Sequence, residues 1–358
     1  AKRLILEELL KGFPFVDRAS LANTVAEMLT PLVRPLIKGA TPLFAHDAAT
    51  PGTGKSLLAS VCTIPFSLSG ASVMTAGRDD DEWRKRITAK LMTGASHILI
   101  DNIKTKLSSG DLSAALTVKS DWEDRILGQS QMIRLPVRCT WIATGNNLEF
   151  SDEIARRAVW IRMDAKVERP WKRTDFRHKD LDSWVEAHRS EILTALMVFV
   201  RKWFAEGKPA GEEVMGSYSE WTRIVGGILK AVGIEGFLEN AEALYEQVDS
   251  EREAWVEFFK AWASEFGAYD EKSKTWGYFS DGQWVTVDGA AVGIKDLFPL
   301  ASHSDSKDDT EELGLLDGLL GRGDEHANRT NLGRILNRHK DRVFGHYRLE
   351  RLREKVKH

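Results

Sequence analysis

The stretch Ala48-Ala49-Thr50-Pro51-Gly52-Thr53-Gly54-Lys55-Ser56 follows an apolar run, Leu43–Ala45, and leads into an apolar helical pattern, Leu57–Ile64. Glycines let a backbone wrap a phosphate with its N–H groups turned inward, and a helix N-terminus adds positive potential behind them. Thr50, Pro51, Gly52, Thr53, Gly54, Lys55 and Ser56 therefore read as a phosphate cradle. Lys55 would reach the β- and γ-phosphates and the Ser56 hydroxyl would hold Mg2+, so ATP with Mg2+ is the expected cofactor pair. The first glycine of the usual G-x-x-x-x-G-K-[ST] spacing is Ala49 here, and a glycine-rich turn without a ligand is the alternative reading.

Working outward, short apolar runs at Ser72–Thr75, Ile98–Ile100, Thr140–Ala143 and Ala158–Met163 alternate with helical stretches. Such a pattern predicts buried strands in a parallel α/β sheet. The run Ile98–Ile100 ends in Asp101, 46 residues after Lys55, where a carboxylate joins Ser56 as a metal ligand. The run ending at Ala143 leads into Thr144-Gly145-Asn146-Asn147, and the Asn146 amide is the candidate that orients an attacking water. Ten residues on, Arg156 and Arg157 precede the last strand. They read as an arginine finger reaching a neighbour's nucleotide, against the alternative of a structural pair.

Lys55, Asp101, Asn146 and Arg156/Arg157 in this order resemble an AAA+ ATPase, and more closely the superfamily 3 helicases of viruses and mobile elements. The segments PLFAHDAATPGTGKSLLA, ILIDN, DRILG, ATGNN and DEIARRAVWIRMD look like phage and mobile-element primase–helicase proteins, over residues 12–240. The resemblance implies a ring-forming ATP hydrolase, a homo-hexamer translocating on DNA in replication. A departure follows Asp101: Asn102 stands where the family carries an acid, and an amide is no general base at neutral pH. Glu82, at the start of the helical stretch after Ser72–Thr75, is the substitute base proposed from sequence, with a helix-capping role as its alternative.

Between Asp101 and Asn146, the apolar runs around Gly128-Gln129-Ser130-Gln131 predict a hairpin. The resemblance implies that such a hairpin projects into a central pore, with Lys104, Lys106, Lys119, Arg125 and Arg134 as candidates to contact single-stranded DNA. The C-terminus is polarised: 304–326 holds eight acids against two bases, and 327–358 ten bases against three acids. A helix with Leu332, Ile335 and Leu336 on one face, then two strands turning at Gly345, resembles a winged helix that binds duplex DNA. Arg334, Arg338, Lys340 and Arg348 are its candidate contacts; a charged helix and hairpin serving a protein partner is the alternative.

Composition limits the other classes. With 50 Lys and Arg against 53 Asp and Glu in 358 residues, a uniformly basic nucleic-acid coat is excluded. Two cysteines, Cys62 and Cys139, exclude a disulfide scaffold, and the histidines lack metal-ligand spacing. The longest clean apolar run, Ala195–Val200, is far short of a membrane span of about 18 residues, and a cytoplasmic location is expected. The chain opens on Ala1 rather than Met, which suggests a piece of a longer protein. The 12 tryptophans read as core and interface anchors.

The expected organisation is a helical segment at 1–40, an AAA+-type ATPase core at 41–170, a helical domain at 171–268 and a winged-helix-like DNA-binding module at 269–358. The expected function is an ATP-dependent replicative DNA helicase. A nucleotide-gated DNA-binding initiator or loader with weak unwinding is the second reading.

Overall fold

Five strands pair side by side and parallel: β1 (Leu43–Ala48), β2 (Ser72–Met74), β3 (His97–Ile103), β6 (Thr140–Asn146) and β7 (Ala158–Met163), in the order β2-β3-β6-β1-β7. The computed structural model describes residues 1–67, 69–125, 131–173, 177–270, 272–280, 283–286, 292–302, 315–316, 320 and 324–350. Both faces of the sheet are covered, which is why its strands read as continuous apolar runs. Phe44, Val159 and Ile161 point into one core, and Leu43, Ala45, Ala158 and Trp160 into the other. This two-residue alternation places the fold in the α/β class expected from the sequence.

The first core is closed by α1 (Arg18–Val33), α2 (Lys55–Thr63), α7 (Arg189–Ala205) and α8 (Ser219–Ala231), and the second by α3 (Asp80–Met92) and α4 (Gly110–Thr117). Asp17 starts α1 by accepting the Ser20 N–H at 2.7 Å. The chain divides into two compact units, Ala1–Val248 and Asp249–His358. The segments read from sequence as 1–40 and 41–170 thus share one unit with most of 171–268. The physical reason is the common core: Val25 and Leu29 of α1, Phe44 of β1, and Leu196 and Ile228 of α7 and α8 pack together.

The hairpin expected before the Asn146 strand exists as β4 (Asp121–Arg125) paired antiparallel with β5 (Met132–Pro136), Arg125 opposite Met132; residues 126–130 at its expected turn lie outside the described residues. Its base is held on α3: Trp122 Nε1 donates to Thr88 Oγ1 at 2.9 Å, and Asp124 accepts from Thr88 and Arg84.

In the second unit, Trp255, Phe258, Leu332, Leu336, Phe344 and Tyr347 form a core of their own. The expected hairpin at 275–286 is β9 (Thr275–Ser280) with β10 (Gln283–Thr286), joined by β8 (Ala268–Asp270) into three strands; Asp281 and Gly282 lie outside the described residues. Near the C-terminus the helix Glu325–Arg338 precedes β11 (Val343–Phe344) and β12 (Tyr347–Arg348), which turn at Gly345 with φ 60°. Both cysteines are free and buried. Among the described residues no helix is long and apolar enough to cross a membrane.

His97, at the start of β3, is 1% exposed, and its Nε2 has no hydrogen-bond partner among the described residues. Burial pushes its pKa down from 6.5 to about 4. The unfolded chain takes up this proton first, so stability is lost as pH falls from about 6.5 toward about 4. Between about pH 8 and about pH 5 this histidine should cost about 2 kcal/mol of unfolding free energy. Urea titrations of wild type and His97→Gln test this: the variant should lose that part of the pH slope, and an unchanged slope contradicts it.

Candidate nucleotide-binding site

The loop between β1 and α2 is crossed by hydrogen bonds of its own hydroxyls. Thr53 Oγ1 donates to Thr50 O at 2.6 Å and lies 3.2 Å from Thr50 Oγ1. Gly52 (φ 75°) and Gly54 (φ 108°) occupy the left-handed region. A Cβ on Gly52 would also stand 3.0 Å from Trp171 Cβ, a tight approach that adds to the demand of its φ. Ala49 has no positive φ, so its methyl group brings no strain where the usual spacing has glycine. Gly54 caps α2 and has no side chain to accept from its first turn, and among the described residues those N–H groups meet no side-chain acceptor.

Lys55 points from the first turn of α2 across the sheet edge. Its Nζ donates to Asn146 Oδ1 at 2.6 Å and to Thr50 O at 3.4 Å. Burial pulls the Lys55 pKa down, and the Asp47 carboxylate opposes that shift. Asp47, 4% exposed on β1, accepts Leu148 N–H at 2.9 Å and Trp160 Nε1–H at 3.3 Å. It thereby ties β1, the strand ahead of the glycine loop, to the loop after β6 and to β7.

Asp101 and Asn102 form an irregularity in the pairing of β3 with β6, between Ile100 and Ile103. Asn102 adopts φ 56°, a left-handed conformation that Asn tolerates better than Glu. The backbone thus gives a local reason for an amide at this position. Thr144, 2% exposed on β6, joins the two residues: its Oγ1 donates to Asp101 Oδ1 at 2.5 Å and accepts Asn102 N–H at 3.0 Å. Gly145 follows because a Cβ there would come within 2.9 Å of Ile103 O.

The structure therefore gathers Lys55, Asn146, Asp101 and the loop at the C-terminal ends of the neighbouring strands β1, β6 and β3, where open parallel sheets bind ligands. Ser56 is exposed beside the loop, and its hydroxyl and the Asp101 carboxylate are hard oxygen donors of the kind Mg2+ takes. Thr144 and Asp47 are the polar residues that the sequence reading passed over. The ATGNN segment carries Thr144, but a hydroxyl bonding 43 residues back along the chain leaves no local pattern.

Other candidates are placed differently. Glu82 lies in the first turn of α3, where Oε2 accepts Arg78 N–H and pairs with Arg86, both at 3.1 Å. Arg78 and Arg86 hold its carboxylate below the usual range. Arg156 is exposed, donating from Nε to Asp152 O at 3.2 Å. Arg157 is half-buried and donates to Glu153 O. Lys119, Arg125, Arg334, Arg338, Lys340 and Arg348 are all exposed; Arg348 pairs with Glu350 at 3.5 Å and Lys340 with Asp341 at 3.8 Å. Arg134 pairs with Glu123 across the hairpin at 2.5 Å.

No family model matches the chain, and no curated protein does. Among solved structures, the apo C-terminal region of NrS-1 aligns with 73% of this chain and 56% of its own, at 11% identity and a TM-score of 0.39. JCV helicase aligns over 64% of this chain and 60% of its own, at 12% identity and a TM-score of 0.26. Inhibitor-bound JCV helicase aligns over 68% and 65%, at 14% identity and a TM-score of 0.27. The chain spans between 56% and 65% of the length of these three structures.

Thr144→Val keeps the shape of the side chain and removes its hydroxyl, freeing Asp101 from its anchor. The Asp101 carboxylate and the Asn102 N–H then lose this partner, so the Val variant should unfold about 1–2 kcal/mol more easily, and Thr144→Ser should stay within about 0.5 kcal/mol of wild type. Urea titrations check this; a Val variant as stable as wild type contradicts it.

Proposed function

We propose that this protein is an ATP-dependent DNA helicase of the AAA+/superfamily 3 kind, working as a ring of identical subunits in the replication of a phage or mobile element. The observation that carries the proposal is the convergence of the Lys55 ammonium, the Asn146 amide and the Thr144-anchored Asp101 carboxylate beside a glycine loop with uncapped helix N–H groups. In this reading the loop N–H groups and Lys55 hold the β- and γ-phosphates of ATP. Ser56 and Asp101 supply the oxygen donors for Mg2+, which when bound offsets phosphate charge. Asn146 trades its bond to Lys55 for one to the attacking water.

Of the two arginines, Arg156 is assigned the reach into a neighbouring subunit's nucleotide, because its side chain is exposed while Arg157 is half-buried. The hairpin β4–β5 is assigned to single-stranded DNA, with Lys119 and Arg125 exposed at or before its strands. The helix Glu325–Arg338 and the hairpin after it are assigned to duplex DNA through Arg334, Arg338, Lys340 and Arg348. Contacts of this kind make binding salt-dependent.

Asn102 favours the second reading, an initiator or loader in which nucleotide gates DNA binding and hydrolysis is slow, since the position that would carry a base holds an amide in a left-handed turn. Strand displacement on a forked duplex separates the two. The helicase reading expects ATP-dependent unwinding that Arg156→Ala abolishes while ATP binding persists, with Arg156→Ala subunits poisoning mixed rings more than in proportion. DNA-stimulated hydrolysis without unwinding selects the loader, and linear dilution in mixtures removes the finger assignment.

A further inference from the structure

α1 carries a stripe of polar residues at helical spacing, Ser20, Asn23, Thr24, Glu27 and Thr30, each at most 1% exposed. A helix seated in an apolar core places such groups there only against partners. Ser20 and Asn23 meet the main chain of β7: Arg162 N–H donates to Ser20 Oγ, and Asn23 Nδ2 donates to Trp160 O, both at 2.9 Å. Thr30 Oγ1 accepts Trp221 Nε1–H at 3.0 Å. Glu27 is the ionisable member, and it turns toward the nucleotide side.

Glu27 Oε2 lies 2.7 Å from His46 Nε2, with both side chains fully buried. His46 stands on β1 just ahead of the phosphate loop, and its Nδ1 faces Lys55 O at 3.4 Å. A carbonyl only accepts, so this contact is a hydrogen bond in the tautomer that carries its proton on Nδ1. Glu27 Oε1 meets no nitrogen or oxygen partner among the described residues. The buried Cys62 thiol near the end of α2 faces this carboxylate, which adds to burial in pushing the thiol up and keeping it S–H. The two ends of the phosphate-loop helix, Lys55 and Cys62, thus meet one buried pair. Such a pair is weak evidence for stability, because apolar replacements of similar volume often serve as well. Its orientation toward the Lys55 peptide needs a different account.

We propose that His46 is a positioning residue for the nucleotide site: from behind the loop, its Nδ1 edge sets the Lys55 peptide and with it the first turn of α2, while Glu27 occupies the other ring nitrogen. The inference rests on the reading of this loop as an ATP site. It also links α1, which is bonded to β7 just after Arg156 and Arg157, to the phosphate cradle.

Two substitutions at His46 split the pair's contacts. In His46→Asn the amide nitrogen takes the place of Nδ1, where it can donate to Lys55 O but not reach Glu27. In His46→Gln it takes the place of Nε2 and reaches Glu27 but not Lys55 O. Fluorescence titration with the ribose-labelled analogue mant-ATP and Mg2+ should find the Gln variant about tenfold weaker than wild type and the Asn variant within about threefold. Thermal melts should rank them in the opposite order, since the Asn variant leaves Glu27 unpartnered. Affinity that follows the melting order, or two variants that bind alike, overturns the proposal.

Should both variants fail to fold, Glu27→Gln decides. Its amide can donate to His46 Nε2 and leave the Nδ1 proton on Lys55 O, so it should bind as wild type does, and a loss of more than about tenfold overturns the proposal. Wild type and Lys55→Ala are titrated alongside. Equal, negligible binding by these two removes the ATP reading itself, whereas tight wild-type binding with indifferent His46 variants removes only the positioning role.

Discussion

A half-buried ammonium has to find oxygen, and Lys55 finds it in Thr50 O of its own loop and in Asn146 Oδ1 at the tip of the neighbouring strand. That requirement orders the rest of the site. It brings the end of β6 against the loop after β1. β6 in turn holds Asp101 of β3 through the Thr144 hydroxyl. The sheet order β3-β6-β1 is what makes the chain of contacts possible, because each strand tip then has its partner one strand away. Burial weakens the charged state of Lys55, and Asp47 beneath it opposes that loss while pinning Leu148 and Trp160.

Much of this was legible in the sequence because it is local. Five apolar runs bounded by turn residues correspond to five parallel strands, and the glycine-lysine-serine stretch falls between strand and helix as its chemistry requires. Helix followed by hairpin at the C-terminus, and a hairpin before the Asn146 strand, could likewise be read from periodicity and turn residues. What escaped is non-local. Thr144 matters through a bond to Asp101, and Glu27 meets His46 on a different element, so neither shows in any window of residues. The helical segments at either end of the sheet looked separate because the apolar spacing changes there from short runs to helical periodicity. They share a core with it because α1, α7 and α8 cover one of its faces.

The same distinction explains Glu82. An acid soon after a strand neighbouring Asp101 is a reasonable substitute base, and β2 does pair with β3. Yet Glu82 takes the N–H of Arg78, in the chain just ahead of α3, and the Arg86 guanidinium one turn on. Asn102 is placed by its backbone, since a left-handed residue at the strand bulge suits Asn. A slow, gated hydrolysis and a fast one need the same phosphate cradle. They differ in what polarises water.

The most direct test of the central claim is a structure determined with Mg2+ and a non-hydrolysable ATP analogue. The account predicts the triphosphate on the N–H groups of Gly52–Ser56, Lys55 Nζ moved from Asn146 Oδ1 to the phosphates, and the metal between Ser56 and Asp101. An analogue bound elsewhere, or a Lys55–Asn146 bond unchanged beside an occupied loop, would contradict it.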